Sequence, residues 1–382
     1  MERQVKSGKN IAICHHTLSS LGGGERVGVT TVEALNEIGV IPDMYTTNPI
    51  KLSYLNDFYG KRVKCKIHTI MPFNLKLFGI YQRLLASFNS FRLMNYDVVV
   101  NTTGIYTPLF LKSLVKRYIL YVYNPLVPIT FTTVKENFKY SKNLFWKVYY
   151  QPYQKLITTS IQKLGNTEIL AVSAFTKWRI EKYWKKSSII VFPPVDIKTF
   201  STVFNNTDRD GVISIGRFTP EKEQLKQLEI AKQLPSITFR ICGSAKTPYY
   251  WRWYQHIKSK TAKMGLKNVE LYPNVPFQKL VSLIGKSKIF IHTMRYEDFG
   301  LTTCEAIAGG CIPCVIDSGG QRESVPHRNL RFRSVKEAVN IINKINSEDG
   351  DNLSELKRKL FDHINQFDES NFKKNMLKVI LS

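Results

Sequence analysis

Short β-branched runs that alternate with helical patterns predict an α/β protein built from two parallel-sheet domains. Three observations carry this expectation: two successive strand–helix series, a polar break between them, and glycine turns where strands end. In the first series, residues 10–17 read as the opening strand, followed by Leu21-Gly22-Gly23-Gly24 and a helix over about 25–38. Residues 40–46, 97–101, 118–123 and 168–173 read as further strands, and Asp97-Val98-Val99-Val100 is β-branched enough for burial on both faces. Ile189-Ile190-Val191-Phe192 precedes Pro193-Pro194, and the polar, aperiodic residues 199–210 mark a break. The expected domains are 1–196 and 197–382, the last helix packing back on the N-terminal domain. The second series has strands at 212–216, 238–242, 269–272, 289–292 and 312–317, with helical patterns at 221–234 and 277–284. Such folds bind ligands beyond the carboxyl ends of their strands, so two halves of this kind predict a cleft there.

Composition narrows the function. A chain of 382 residues with 43% hydrophobic and 22% charged residues is globular and has room for two domains. It holds no apolar run of about 18 residues, the minimum for a spanning helix. Residues 1–9 are polar, unlike an ordinary signal peptide. Cys311-Ile312-Pro313-Cys314 has the spacing of half a zinc site, but no second pair accompanies it. The six scattered cysteines read as small core residues in a reducing cytoplasm. The net charge of +25 calls for an anionic partner. Its excess is greater over residues 1–200, where basic residues alternate with aromatics. Lys76, Arg83 and Arg92 lie between Phe73 and Met94; Lys139, Lys142 and Lys147 lie with Phe145, Trp146, Tyr149 and Tyr150 between Lys135 and Lys155. Nucleic acid and anionic membranes both suit that mixture. With no helix-turn-helix, zinc-finger, KH or RRM pattern, a membrane surface is the expected partner.

Residues suited to phosphate and sugar chemistry gather in the second series. Gly216-Arg217-Phe218-Thr219-Pro220-Glu221-Lys222 follows a strand and opens a helix. Arg217 and Lys222 flank that turn, so both heads can reach a diphosphate and stabilise it as it departs. Alone, the segment also fits an ordinary helix start. Glu297-Asp298-Phe299-Gly300-Leu301-Thr302-Thr303-Cys304-Glu305 places two carboxylates on either side of a Phe-Gly-Leu turn before a helix. The helix start can bind phosphate oxygens, Glu297 sugar hydroxyls and Glu305 ribose hydroxyls. Thr302 and Glu305 also have capping-box spacing, so Glu305 stays open between cap and ligand. Gly22-Gly23-Gly24-Glu25-Arg26 resembles a phosphate cradle without the spacing of a dinucleotide fingerprint or P-loop. Gly319-Gly320, with Gln321 and Glu323, is a further glycine turn after a strand.

Together, Arg217 with Lys222, the Glu297-to-Glu305 motif, Ala306-x-Ala308-x-Gly310 and Gly319-Gly320-x-x-Glu323 resemble glycosyltransferase family 4, which is retaining, metal-independent and of the GT-B fold. Gly22-Gly23-Gly24-Glu25-Arg26-Val27, Pro193-Pro194-Val195-Asp196, Gly216-Arg217-Phe218-x-Pro220-Glu221-Lys222 and Ile291-His292-Thr293-Met294 are similar to the α-1,2-mannosyltransferases that elongate the dolichol-linked oligosaccharide. The resemblance implies a nucleoside-diphosphate sugar as donor, a lipid-linked or membrane-associated glycan as acceptor, and no metal or other cofactor. It assigns the donor diphosphate to Arg217 and Lys222, sugar hydroxyls to Glu297, phosphate contacts to Gly300 and Leu301, and the ribose to Glu305. Gly23 and Gly24 fall beside the donor or acceptor phosphates.

Two features depart from that branch. Its Tyr-Val-His-Tyr-Pro-like segment is Tyr121-Val122-Tyr123-Asn124-Pro125 here, without the histidine. Tyr123 and Asn124 are candidate sugar contacts in its place, and His15 and His16, ending the first strand, are the nearest substitutes. The branch's N-terminal anchoring helix has no counterpart, so the expected attachment is peripheral, on the cytoplasmic face. Two readings stand against this one: a same-fold enzyme with a soluble acceptor, and a basic nucleic-acid-binding protein on a degenerate transferase scaffold.

Overall fold

A computed structural model describes residues 9–19, 22–69, 90–104, 115–125, 144–162, 164–348 and 350–382. Lys76, Arg83, Lys139 and Lys142 of the basic-aromatic stretches lie outside the described residues. The chain divides into two units, residues 1–194 with 369–382, and residues 195–368.

The first unit holds seven strands: β1 (Ile11–Cys14), β2 (Asp43–Thr46), β3 (Lys66–Thr69), β4 (Val98–Gly104), β5 (Tyr118–Val122), β6 (Glu168–Ala171) and β7 (Ile189–Ile190). They form one sheet in the order β3-β2-β1-β4-β5-β6-β7, every pair parallel. Apolar residues fill β1, β4 and β5 because parallel strands in such a sheet are covered on both faces. The helix Gly23–Glu37 starts two residues earlier than the sequence pattern suggests, with Gly22 extended before it. Its cap comes from Glu25, whose Oε2 accepts the backbone N–H of Gly22 at 2.8 Å.

The helix Glu369–Leu381 packs on Gly23–Glu37 in this unit. Lys61 Nζ is held between Glu33 at 2.6 Å and Glu369 at 2.8 Å. Arg117 pairs with Glu168 and also donates to the carbonyls of Val379 and Ile380, closing the helix's C-terminal end with a cation. Phe372 from the same helix is fully buried edge-on to Tyr121.

The second unit holds β8 (Asp210–Ile215), β9 (Phe239–Gly243), β10 (Val269–Pro273), β11 (Ser287–His292), β12 (Ile312–Ile316) and β13 (Arg331–Phe332). Its order is β10-β9-β8-β11-β12-β13, again all parallel. The polar stretch 199–210 is structured rather than a loose break: Ile197–Phe200 is helical, capped by Asp196 Oδ1 on the Thr199 N–H at 3.1 Å. Cys311 and Cys314 are buried, and burial pushes the Cys311 thiol up to about 12. Cys311 donates to the carbonyls of Ile284 and Ser287.

Arg209 closes this region. Its guanidinium donates to the carbonyls of Val203, Phe204, Asn206, Ile284, Ser287 and Gly309. These include the Gly309 carbonyl just past the helix Leu301–Ala308 and the Ile284 carbonyl in the last turn of Phe277–Lys286, which also accepts the Ser287 N–H. Buried acceptors stripped of a donor cost about 1–3 kcal/mol each. Arg209→Met should therefore lower the unfolding free energy by about 3 kcal/mol or more in urea titrations. A loss below about 1 kcal/mol would contradict this account.

Candidate active site

In each sheet the strand order reverses at one place, between β1 and β4 and between β8 and β11. Loops leaving the carboxyl ends of strands diverge there and leave room for a ligand. The candidate residues gather at these two points, one in each unit.

In the second unit, β8 runs into Gly216-Arg217 and β11 into Thr293-to-Glu297. Lys222 Nζ donates to Glu297 Oε2 at 2.7 Å, and His292 Nε2 reaches the same oxygen at 3.1 Å. The three side chains are largely buried. Burial works to raise the Glu297 carboxyl, but Lys222 and His292 outweigh it and hold the group well below the usual carboxylate range. Burial lowers the His292 imidazole, with Lys222 acting the same way, so it is neutral at pH 7. An ionised carboxylate only accepts, so Nε2 carries the ring hydrogen and Nδ1 is the bare acceptor. Nδ1 is buried with no hydrogen-bond partner among the described residues. Glu297 Oε1 makes no hydrogen bond there either, while Oε2 takes two donors. The result is an oriented, ionised carboxylate with one oxygen ready for a ligand hydroxyl.

The surrounding backbone is fitted to that pair. Thr293 Oγ1 donates to the Lys222 carbonyl at 2.8 Å and accepts from Gln227 Nε2 at 2.9 Å, tying the end of β11 to the Lys222 turn. A Cβ on Gly216 would meet the Lys222 stem at 3.3 Å, and one on Gly243 would stand 1.9 Å from the Gly216 carbonyl oxygen. Gly320 N–H donates to the Glu297 carbonyl at 2.8 Å. Cβ atoms on Gly319 and Gly320 would lie 2.5 and 2.4 Å from the Glu297 and Asp298 carbonyl oxygens. The Gly319-Gly320 turn thus lies directly against the carboxylate's own loop.

Arg217 is exposed, with Nη1 3.3 Å from the Tyr250 hydroxyl and the guanidinium 5.9 Å from the ring centroid. Lys222 is therefore committed to Glu297, with two N–H donors left over, while Arg217 rests on Tyr250. Gly300 caps the helix Leu301–Ala308 at φ 110°, where a side chain would be strained and would meet Gln321. That makes Thr302 the second helical residue, so the expected capping box does not form. Leu301 and the half-buried Glu305 are one turn apart on a shared face.

In the first unit, His15 is buried beyond β1, its Nδ1 3.0 Å from Thr102 Oγ1, and burial lowers its pKa. His16 Nδ1 lies 3.1 Å from Thr47 Oγ1. Tyr123 donates its hydroxyl to the Gly24 carbonyl at 2.8 Å, with the Thr102 carbonyl at 3.2 Å. A Cβ on Gly24 would sit 3.5 Å from that ring. Asn124 Oδ1 accepts from Arg179 at 3.0 Å. Gly23 and Gly24 form the first helical turn rather than a loop. His15, Tyr123 and Gly24 thus converge around Thr102, whereas His16 and Asn124 are engaged elsewhere.

Sequence reasoning passed over His292, Thr293 and Tyr250 as site residues. His292 had a signal, a polar residue directly after the apolar run Ile289-Phe290-Ile291; Tyr250, on the helix Pro248–Lys263, had none. A depressed carboxyl contributes stability that is complete above its unfolded pKa and lost as pH falls toward the folded value. The stability deficit of Glu297→Gln should therefore be greatest near about pH 7 and shrink toward about pH 3.5. Urea denaturation at both values checks it, and an equal deficit at each would overturn the assignment.

Comparison with known proteins sharpens these chemical features. Residues 196–359 match the family model for glycosyl transferases group 1. The GDP-Man:Man(3)GlcNAc(2)-PP-Dol alpha-1,2-mannosyltransferase of Dictyostelium discoideum is 26% identical over 63% of this chain and 51% of its own length. The enzyme of that name from Homo sapiens is 27% identical over 42% and 36%. The chain spans about half the length, or less, of these curated relatives. Among solved structures, a glycosyltransferase from Rickettsia africae superposes with a TM-score of 0.71 at 17% identity, covering 98% of each chain. Anabaena HepE, solved with UDP and glucose, gives 0.73 at 15% identity over 98% of this chain and all of its own. The fold is GT-B, and the group 1 match within it supports a glycosyltransferase.

Proposed function

We propose that this protein is a retaining glycosyltransferase of family 4, moving a mannose-like hexose from a nucleoside-diphosphate sugar to a lipid-linked or membrane-associated glycan. The observation that carries the reading is Glu297, held ionised by Lys222 and His292 with Oε1 open, inside the segment matching glycosyl transferases group 1. Oε1 accepts hydrogen bonds from the donor sugar's hydroxyls. Arg217 and the remaining Lys222 donors take the diphosphate, the N–H groups after Gly300 take further phosphate oxygens, and Glu305 takes the ribose. The acceptor oxygen bonds to the anomeric carbon on the face the diphosphate leaves. The C–O bond breaks with its electron pair on the diphosphate, whose oxygen receives the acceptor's proton. Catalysis is positioning and stabilisation of the departing charge, a task two cations perform without a metal ion.

The names of the relatives support GDP-mannose as donor and a lipid-linked glycan as acceptor. No helix among the described residues is long and apolar enough to cross a membrane. Exposed Leu144, Phe145 and Val148 share the first turns of one helix in the first unit. Exposed Trp178 carries Lys182 Nζ 4.7 Å from its ring centroid. Apolar and cationic groups so mixed favour peripheral binding at an anionic cytoplasmic surface. The intact charge arrangement at Glu297 weighs against a degenerate scaffold that merely binds nucleic acid.

A thermal-shift panel of GDP-mannose, UDP-glucose and UDP-N-acetylglucosamine tests the donor; stabilisation that rises with GDP-mannose is expected. Arg217→Ala should lower kcat for transfer to a lipid-linked glycan by about 10²–10³-fold, the cost of losing one donor to the developing charge. No shift with any nucleotide sugar, together with unchanged transfer in Glu297→Ala, would sink the reading.

A further inference from the structure

A second concentration of cations lies at the β12–β13 edge of the second unit. Asp317, just beyond β12, has a side chain only 3% exposed, and four arginines converge on it. Arg322 Nε is 3.0 Å from Oδ1 and Arg333 Nε 2.8 Å from Oδ2, both hydrogen-bond distances. Arg328 Nε and Arg331 Nε stand 3.7 Å away, too far to bond. Two arginines therefore bond the carboxylate, while Arg328 and Arg331 add charge beside it, Arg328 Nη1 donating to the Arg331 carbonyl. Four cations against one anion leave an excess of three. Glu337 accepts the Arg333 backbone N–H and offsets that excess by one at most.

The arrangement is poised for a ligand. Arg331 is 14% exposed, and its Nε is buried with no hydrogen-bond partner among the described residues. Arg322, Arg328 and Arg333 are 56%, 50% and 65% exposed, so their forks also reach solvent. Like charges gathered this closely repel unless a counter-ion joins them, and one carboxylate supplies too little. Planar guanidinium forks match tetrahedral phosphate oxygens with paired N–H donors.

We propose that Arg322, Arg328, Arg331 and Arg333 form a binding site for a phosphate-bearing anion, with Asp317 as the residue that holds the forks in position. Headgroup phosphate of a lipid and phosphate on a soluble molecule share this chemistry. The proposal goes beyond sugar transfer and stands without it. None of the four arginines bonds to Arg217, Lys222 or Glu297 among the described residues.

The test uses the full chain carrying Arg217→Ala and Lys222→Ala, so that the diphosphate cations near Glu297 do not contribute. Calorimetric titration with inorganic pyrophosphate should show saturable binding. Adding Arg328→Ala with Arg333→Ala should weaken it at least about tenfold, the scale expected for losing charge-assisted hydrogen bonds. Arg328→Ala alone, which breaks no bond to Asp317 and only an exposed one to the Arg331 carbonyl, should weaken it while changing the melting temperature in the absence of phosphate little. Absence of saturable binding, or equal affinity in all three proteins, overturns the site. Sedimentation with phosphatidylcholine vesicles containing phosphatidic acid, or phosphatidylserine at matched charge, separates the sources. Lost pyrophosphate binding with selective loss on phosphatidic acid supports a site for a lipid phosphomonoester. Lost pyrophosphate binding with unchanged vesicle binding supports one for a soluble phosphate.

Discussion

The second unit is organised around one constraint: a carboxylate removed from most of its water has to stay charged. Glu297 alone would be neutralised by burial. Lys222 supplies the compensating charge, and His292 supplies a hydrogen bond without adding a second one, because burial keeps the ring neutral. Both donors converge on Oε2, which fixes the carboxylate plane and leaves Oε1 uncommitted. A fully satisfied carboxylate would be a structural ion pair. This half-satisfied one is prepared for a further hydroxyl, and the bare Nδ1 of His292 shows how much of the local bonding capacity is left unused.

Maintaining that geometry draws on backbone more than on side chains. The Lys222 stem crosses Gly216, whose carbonyl faces Gly243 at a separation no other residue permits. Gly319 and Gly320 lie against the peptide units of Glu297 and Asp298, and the Gly320 N–H bonds to one of them. Thr293 binds the Lys222 carbonyl from the other side. Glycine is needed here for close approach, and its cost in backbone freedom is borne next to Glu297. The carboxylate's position is therefore set by β8, β9, β11 and β12 together rather than by its own loop.

Much of this was legible in the sequence. The β-branched runs at β1, β4 and β5 and the apolar runs at β11 and β12 follow directly from burial on two faces. β3, Lys-Ile-His-Thr, was not legible because an edge strand with half-exposed side chains lacks that signal. β13 is only two residues long. Residues 199–210 looked like a break because Arg209 is a charge in a polar run; its six carbonyl acceptors come from tertiary structure. Lys222 and Glu297 were legible as types, but their pairing, across 75 residues, was not. Thr302 has the chemistry of a cap, yet Gly300 holds that place because the chain turns through positive φ there.

Tyr123 and His15 of the first unit lack the features of a general base. Burial pushes the Tyr123 phenol well above its ordinary value of 10.0, so at neutral pH it is a donor already directed at backbone carbonyls. His15 is neutral by burial and bonded to Thr102, and His16 faces Thr47. A general base needs an open acceptor whose pKa lies near the operating pH, and Tyr123 and His15 do not combine the two. Tyr123 therefore offers no base where the branch that the sequence resembles carries a histidine. In the proposed sugar transfer the leaving diphosphate is then the natural proton acceptor, because its oxygens gain basicity as the bond to the sugar breaks. The proposed charge chemistry then rests on Arg217, Lys222 and Glu297, the groups of the second unit that are charged at neutral pH.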